Sequence, residues 1–217
     1  MSWFKNIKTV VKAKVSSQPP APVERLGLRL GGSITVNPLH FKAAGPAWLA
    51  RVPEGPQMIE AIGTIASTEG VVIKRYYLTD EDFFLQVLTQ NGSVLERKLF
   101  TYQPLIDVSD RRHFRALVEH GGRIGQPTLN VDGRIYDRQW ADDLPGEWAP
   151  PVLLEENVVK AGERYSLSLY TMLYQREIPE TQTFEVALIT AEDSGPNEFG
   201  ATIAIGVDVE EVDLDVV

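Results

Sequence analysis

Few residues of this chain belong to types that perform chemistry on their own. Cysteine is absent, and the histidines are His40, His113 and His120. The spacing of His113 and His120 would place them on one helix face, two turns apart, which is too far for joint metal ligation without further ligands. The surrounding RRHFRALVEH is more simply interpreted as a solvated helix face. The sequence therefore assigns no metal site, no cofactor and no catalytic residue.

Carboxylates offer the remaining chemistry. Asp80, Glu81 and Asp82 are adjacent in TDEDFF. A calcium loop needs more oxygen donors at defined spacing, so we interpret the run as an acidic turn before a strand. An enzyme or a small-ligand-binding protein would have to bring dispersed acids, for example Asp80, Asp82 and Asp107, together in the fold. That alternative stays open at the level of sequence.

A tryptophan-containing segment, WADDLPGEWAPP at residues 140–151, holds two tryptophans, three acids and three prolines. We predict an ordered loop here. Aromatic side chains beside charges are typical of interaction sites. The candidate interaction surface consists of Trp140, Asp142, Asp143 and Trp148. The alternative is that the two tryptophans cap the hydrophobic core.

The first fifteen residues differ in charge from the rest of the chain. Residues 3–15, WFKNIKTVVKAKV, carry four lysines and no acid, although the formal net charge of the whole chain is −9. At 100° per residue the apolar side chains share one sector and three lysines lie opposite. This pattern predicts an amphipathic helix. The residues that we expect to contact a membrane or a partner are Trp3, Phe4, Lys5, Ile7, Lys8, Val11 and Lys12.

Two interpretations of this helix compete. It could lie on an anionic membrane surface with its aromatic end in the headgroup region, or it could dock on the acidic body of the chain or on a partner protein. The sequence does not separate them.

Composition indicates a globular protein. The apolar content of 43% and the charged content of 24% are typical of soluble domains. The absence of cysteine excludes a disulfide scaffold and fits a reducing compartment. Lysines interrupt any signal-peptide core, and no apolar run could span a membrane. We predict a cytoplasmic protein, located at the inner face of the membrane if the helix binds lipid, and the acidic net charge argues against nucleic-acid binding.

Short β-like runs separated by turn residues dominate the chain after residue 25. Asn91-Gly92 and Asp132-Gly133 each predict a hairpin, because a type I′ turn needs two residues that tolerate positive φ. We predict two antiparallel neighbouring strands in the segments RYSLSLYTMLYQREI and FEVALITAED. The C-terminal VDVEEVDLDVV is either a half-buried strand or an acidic tail.

One helix is predicted within the body, with Ser109 as its N-cap and Gly121-Gly122 as its stop. Its apolar face is predicted to hold Phe114, Leu117 and Val118.

The predicted fold class is α+β, mainly antiparallel β with one or two helices. We predict a single β-rich domain over residues 25–217. A basic amphipathic helix at residues 1–15 and a proline-rich linker at residues 16–24 would lie outside it, since the prolines cannot continue a helix.

The chain resembles the YjfK-like family of bacterial proteins of unknown function in four stretches. These are LGLRLGGSITV, IKRYYLTDEDFFLQVL, ERKLFTY and YTMLYQREIPETQTFEVALI. The resemblance covers about residues 26–206. It implies no catalytic residue, because the family has none assigned. Members are often encoded beside a phage-shock-protein-A-like protein, a membrane-remodelling class. The resemblance therefore implies such a protein as a partner, and a peripheral membrane role.

These observations favour a non-enzymatic cytosolic accessory or interaction protein, with the N-terminal helix as a docking or membrane-contact element. The alternative is an enzyme or a small-ligand-binding protein that uses the dispersed carboxylates.

Overall fold

The computed structural model describes residues 26–39, 41, 45–67, 70–141, 143–178, 181–195 and 198–217. The predicted helix at residues 1–15 and the linker at residues 16–24 lie outside these residues. The strands, in chain order, are β1 (Ser33–Val36), β2 (Gln57–Ala66), β3 (Val71–Leu78), β4 (Phe83–Gln90), β5 (Ser93–Tyr102), β6 (Thr128–Val131), β7 (Arg134–Arg138), β8 (Val152–Lys160), β9 (Glu163–Ile178), β10 (Thr183–Gly195), β11 (Glu198–Asp208) and β12 (Leu214–Val216). The α-helix α1 spans Arg111–Val118, and short 3-10 helices span Gly45–Ala47 and Glu211–Asp213.

Eight of the strands form a closed antiparallel barrel. Around the ring their order is β2, β3, β4, β5, β11, β10, β9 and β8. β8 closes the ring because it pairs with β9 on one side and with β2 on the other. The mainly antiparallel β prediction is thus confirmed.

The strand that closes the barrel covers only part of each neighbour. Its ladder with β2 joins residues 61–64 to residues 157–160. The start of β2 pairs instead with β1, which also pairs with β12, and the end of β9 pairs with β7 of the β6–β7 hairpin. The sheet therefore extends beyond the barrel on both sides of the closing strand.

Both faces of β4 and β5 are buried. Phe84 and Phe100 belong to one hydrophobic cluster, and their rings stack with centroids 4.8 Å apart. Phe83, Leu85 and Leu99 belong to a second cluster, which β1 and β12 help to cover. Successive strand residues point to opposite faces. Because both faces are buried here, residues 83–85 and 99–100 are continuously apolar and do not alternate with polar residues.

Both predicted type I′ hairpins are confirmed. Asn91 and Gly92 have φ values of 51° and 80°, and they connect β4 to β5. Asp132 and Gly133 have φ values of 49° and 75°, and they connect β6 to β7. The antiparallel pairing of β9 with β10 is also confirmed.

The predicted helix is present, but its cap is shifted by one residue. Asp110, not Ser109, is the N-cap, and its carboxylate accepts a hydrogen bond from the backbone N–H of His113 at 2.8 Å. Ser109 Oγ lies instead 2.7 Å from His113 Nδ1. Since the helix ends at Val118, His120 lies beyond it, and the shared helix face proposed for the two histidines is wrong. Phe114 is buried, as predicted.

The C-terminal acidic stretch was predicted to be either a half-buried strand or an acidic tail, and it has features of both. Val207 and Val209 are buried, while Val212 is 88% exposed at the 3-10 helix. The chain then returns as β12 and pairs with β1.

A buried carboxylate ties the segment before β2 to the barrel. Glu185 of β10 is fully buried, and its Oε1 accepts hydrogen bonds from the backbone N–H groups of Leu49 and Ala50 at 2.6 and 2.8 Å. Its Oε2 accepts from the Tyr136 hydroxyl at 2.7 Å and from the Arg176 guanidinium. Five hydrogen bonds from four residues satisfy this carboxylate, since Arg176 donates through both Nε and Nη2, as a buried charge requires.

Candidate functional site

An ion pair lies buried in the barrel between β3 and β8. Arg75 Nη1 donates to Glu156 Oε2 at 3.2 Å, and the two side chains are 7% and 1% exposed. The Tyr77 hydroxyl donates to Glu156 Oε1 at 2.9 Å, and Arg75 Nε donates to Gln86 Oε1 at 3.2 Å. Burial lowers the pKa of Arg75, but Glu156, Tyr77 and Tyr102 together outweigh burial and raise it. Arg75 therefore keeps its positive charge in the barrel interior, with Glu156 as the acid that faces it.

A glycine makes room for this pair. Gly63 of β2 faces Arg75 in one neighbouring strand and Val158 in the other. An added Cβ at Gly63 would lie 1.8 Å from Glu156 Oε1. The carboxylate thus occupies the space that a side chain at this position would need.

At one end of the barrel lies a cavity of about 260 Å³, which we call the mouth, and its lining includes Tyr77, the donor to Glu156. Its charged lining consists of Glu60, Glu81, Glu192 and Lys160. Three carboxylates and one ammonium give the lining a formal charge of −3 + 1 = −2. The aromatic lining includes Tyr77, Tyr102 and Tyr165. The mouth is therefore acidic and rich in tyrosine.

Strand geometry brings these groups together. Glu60 lies near the start of β2, Tyr77 near the end of β3, and Tyr102 at the end of β5. In an antiparallel barrel these positions belong to the same end, because neighbouring strands run in opposite directions. Glu192, near the end of β10, lies at that end too, opposite Gly200 of β11.

Glu192 differs from the other half-buried and buried acids described above. Glu156 and Glu185 are satisfied by hydrogen-bond donors, whereas the carboxylate of Glu192 has no hydrogen bond or ion pair within the described chain. Burial raises the pKa of Glu192, and the charge of Glu156 raises it further while Arg75 lowers it. This carboxylate lines the mouth without a partner for its charge.

Two tyrosines of the mouth, Tyr77 and Tyr102, remain neutral phenols. Burial raises the pKa of Tyr77 and of Tyr102. The Tyr102 ring packs on Phe84 with centroids 5.3 Å apart, and Tyr165 is 45% exposed at the rim. Neutral aromatic rings attract cations through their π faces, so they add to the attraction of the carboxylates for a positive charge.

The dispersed acids named from the sequence do not line the mouth. Asp80, Asp82 and Asp107 are exposed, and Asp82 pairs with Arg51 at 2.8 Å. Within the residues that the structure describes, no three His, Cys, Asp or Glu side chains are grouped so that they could hold a metal ion. The carboxylates that line the mouth are Glu60, Glu81 and Glu192; of these, only Glu81 belongs to the acidic turn named from the sequence.

The tryptophan loop lies away from the mouth lining. Trp140 is 6% exposed and belongs to the core, whereas Trp148 is half-buried, with its Nε1 donating to the Ile124 carbonyl at 3.0 Å. Asp143 is exposed, and Asp142 lies outside the described residues. The interaction surface proposed for this loop stays a prediction.

The candidate site residues that the sequence did not point to are Glu60, Glu156 and Glu192, each in a strand. One signal was present: Gly63 interrupts the β2 run, and a glycine inside a strand often marks a close approach. Which side chain approaches it depends on β8, a strand that was not predicted.

None of the helices in the described part of the chain is long and apolar enough to cross a membrane. The membrane or partner contacts predicted for Trp3, Phe4, Lys5, Ile7, Lys8, Val11 and Lys12 all fall outside the described residues.

Comparison with known proteins supports the family resemblance. The protein YjfK of Escherichia coli (strain K12), which is described as uncharacterized, is 29% identical over 200 residues, covering 88% of this chain and 90% of YjfK. No solved structure matches the chain significantly. A family model described as a protein of unknown function (DUF2491) matches residues 3–215. Because the match extends over nearly the whole chain, the protein belongs to the DUF2491 family.

Proposed function

We propose that this protein is a non-enzymatic binding protein that accepts a cationic group of its partner in the mouth of the barrel. The observation that carries the proposal is Glu192, a carboxylate that lines the mouth, partly withdrawn from water, with no hydrogen bond or ion pair among the described residues. An ammonium or guanidinium group placed beside it would supply the missing partner.

The charge of the mouth supports a cation rather than an anion. Its lining holds three glutamates against one lysine. Arg75 does not belong to the lining, and it is paired with Glu156. Unit charges attract more strongly near a low-dielectric wall than in bulk water, so the net charge of the lining favours a positive ligand.

The volume of the mouth limits the size of the ligand that it can accept. A volume of about 260 Å³ lies below the ~300 Å³ at which pockets for drug-sized ligands begin. The mouth therefore suits one lysine or arginine side chain, or a small organic cation, and is too small for a nucleotide cofactor.

This proposal refines the interaction protein expected from the sequence. A partner protein, including one of the phage-shock-protein-A-like class, would engage the mouth by inserting a basic side chain from an exposed loop or helix. Ligand binding through carboxylates, the alternative drawn from the sequence, would use Glu60, Glu81 and Glu192 rather than Asp80, Asp82 and Asp107.

The test is an NMR titration of the full chain with n-butylammonium, a mimic of the lysine side chain, at low salt. We expect saturable shifts at the amides of the mouth, no saturable shifts with butyrate or butanol, and weaker butylammonium binding by at least about fivefold in Glu192→Gln. Glu177→Gln is the matched control, because Glu177 is exposed on β9 and does not line the mouth. Equal binding of butyrate, or no saturation by butylammonium, would overturn the proposal.

A further inference from the structure

We infer that the resting occupant of the mouth is the chain's own lysine-rich segment, residues 3–15, so that the protein is occupied in cis until a partner displaces this segment. The inference rests on the proposed function, since it names the first cation that the mouth accepts.

Charge complementarity is the first argument. Residues 3–15 hold four lysines and no acid, so the rest of the chain carries −9 − 4 = −13. The mouth concentrates part of that negative charge through Glu60, Glu81 and Glu192. A basic segment of the same molecule is therefore attracted to the place where Glu192 lacks a partner.

The position of the first described residue is the second argument. Leu26 packs against the outer hydrophobic cluster, which contains Leu78 and Phe83. Both of these residues also line the mouth. The described chain thus begins at the cluster that also supplies Leu78 and Phe83 to the mouth. Residues 16–25 can span up to about 33 Å when extended, so residues 3–15 can reach well beyond the point of attachment at Leu26.

Tethering compensates for weak contacts. A single ammonium group in a small cavity binds weakly, but a short linker gives an effective concentration in the millimolar range. Occupancy in cis is therefore favoured until a partner of higher affinity, or one at high local concentration, competes.

The first experiment is zero-length carbodiimide cross-linking of the full chain at low salt, followed by mass spectrometry. We expect intramolecular isopeptide bonds from Lys5, Lys8, Lys12 or Lys14 to Glu60, Glu81 or Glu192. Their yield should fall severalfold in 0.5 M salt, because screening shortens the range of the attraction. Intramolecular bonds confined to acids outside the mouth, or the absence of such bonds, would overturn the inference.

The second experiment compares probe affinities. A full-chain variant with Lys5, Lys8, Lys12 and Lys14 changed to Gln should bind n-butylammonium about three- to tenfold more tightly than the wild type, because no segment competes. The matched control changes four exposed cations outside the mouth, Arg29, Lys74, Arg112 and Arg115, to Gln. This control reproduces the net charge of −13, and its affinity should stay within about twofold of the wild type.

The outcomes separate the two proposals. Saturable and equal binding by the wild type and the lysine variant would overturn occupancy in cis and leave the proposed function standing. Binding by neither protein would overturn the proposed function. Binding of the wild type to anionic vesicles through the same lysines, with no cross-link to the mouth, would assign the segment to a lipid surface and overturn the inference.

Discussion

The carboxylate of Glu156 fills the space that a side chain at Gly63 would occupy. These two residues belong to β8 and β2, the strands whose pairing closes the barrel, and an added Cβ would approach Glu156 Oε1 to 1.8 Å. The ion pair with Arg75 therefore depends on a residue that has no side chain.

The first prediction concerns this close approach. Gly63→Ala should lower the free energy of unfolding by about 1–3 kcal/mol, as overpacking of a filled interior does. Urea denaturation measures the loss. Gly200→Ala is the control, because the nearest atom to an added Cβ at Gly200 is 3.9 Å away. Equal effects of the two changes would contradict the packing described.

The second prediction concerns the buried ion pair. Glu156→Gln leaves the charge of Arg75 buried without a counterion and should cost about 3–5 kcal/mol. Adding Arg75→Met to the same chain should recover part of that loss, since the unpaired charge is then removed. A double-mutant cycle of unfolding free energies gives the coupling. Additive losses would show that the two side chains are not paired in solution.

The third prediction concerns the β4–β5 turn. Gly92→Val should destabilise the protein by about 1–3 kcal/mol, because a β-branched residue is strained at the φ of 80° that Gly92 adopts. No atom lies within 4 Å of an added Cβ, so the cost is conformational and not steric. Gly92→Asn should cost less, since asparagine tolerates this region. Identical melting temperatures for the wild type and Gly92→Val would argue against the turn.

The fourth prediction is a pH dependence. Burial raises the pKa of Glu96 to about 7, against the opposing attraction of Lys98, whose Nζ lies 2.7 Å from Glu96 Oε1. A raised pKa means that the folded state binds the proton more tightly than the unfolded state. The stability that this group contributes is thus complete below pH 4.5 and is lost as the pH rises to about 7.

Glu96→Gln removes this titration. The stability of the wild type relative to the variant should fall between pH 4.5 and 7, by up to about 3 kcal/mol at ~1.4 kcal/mol per pKa unit. Denaturation at a series of pH values measures the difference. Parallel profiles for the two proteins would refute the assignment to Glu96.

The fifth prediction separates the two interpretations of the N-terminal segment. If the segment occupies the mouth, changing Lys5, Lys8 and Lys12 to Glu should lower the melting temperature by a few degrees, and the wild type should show no preference for anionic vesicles. If it lies on lipid instead, the same change should abolish co-sedimentation with anionic vesicles and leave the melting temperature unchanged. Both quantities are measured on the same full-chain proteins.

Local chemistry made part of this fold predictable. The pairs Asn91-Gly92 and Asp132-Gly133 predict their turns directly, because few other residue pairs accept two positive φ values. The β8–β9 turn uses Ala161 and Gly162, with φ values of 46° and 88°. Alanine is uncommon at such a φ, so this hairpin, and with it β8, left no clear signal in the sequence.

The site was less predictable than the strands, because its parts are distant in sequence. Arg75 and Glu156 are 81 residues apart, and their contact follows from ring closure rather than from any local pattern. In the sequence, nothing distinguishes Glu192 from an ordinary polar residue near the end of a strand. Only the barrel shows that Glu192 lines the acidic mouth.

Ring closure also has a kinetic consequence. β8 holds β2 through four residue pairs, whereas β10 is paired along most of its length on both sides. Contacts between distant segments carry a loop-closure cost that slows their formation. We therefore expect the β2–β8 pairing, which we call the seam, to form late in folding. Local opening should begin there, and the backbone amides of residues 61–64 should exchange with deuterium before those of β10. Val158 and Lys160 of β8 belong to the wall of the mouth, so a cation bound there would also slow deuterium uptake at the seam.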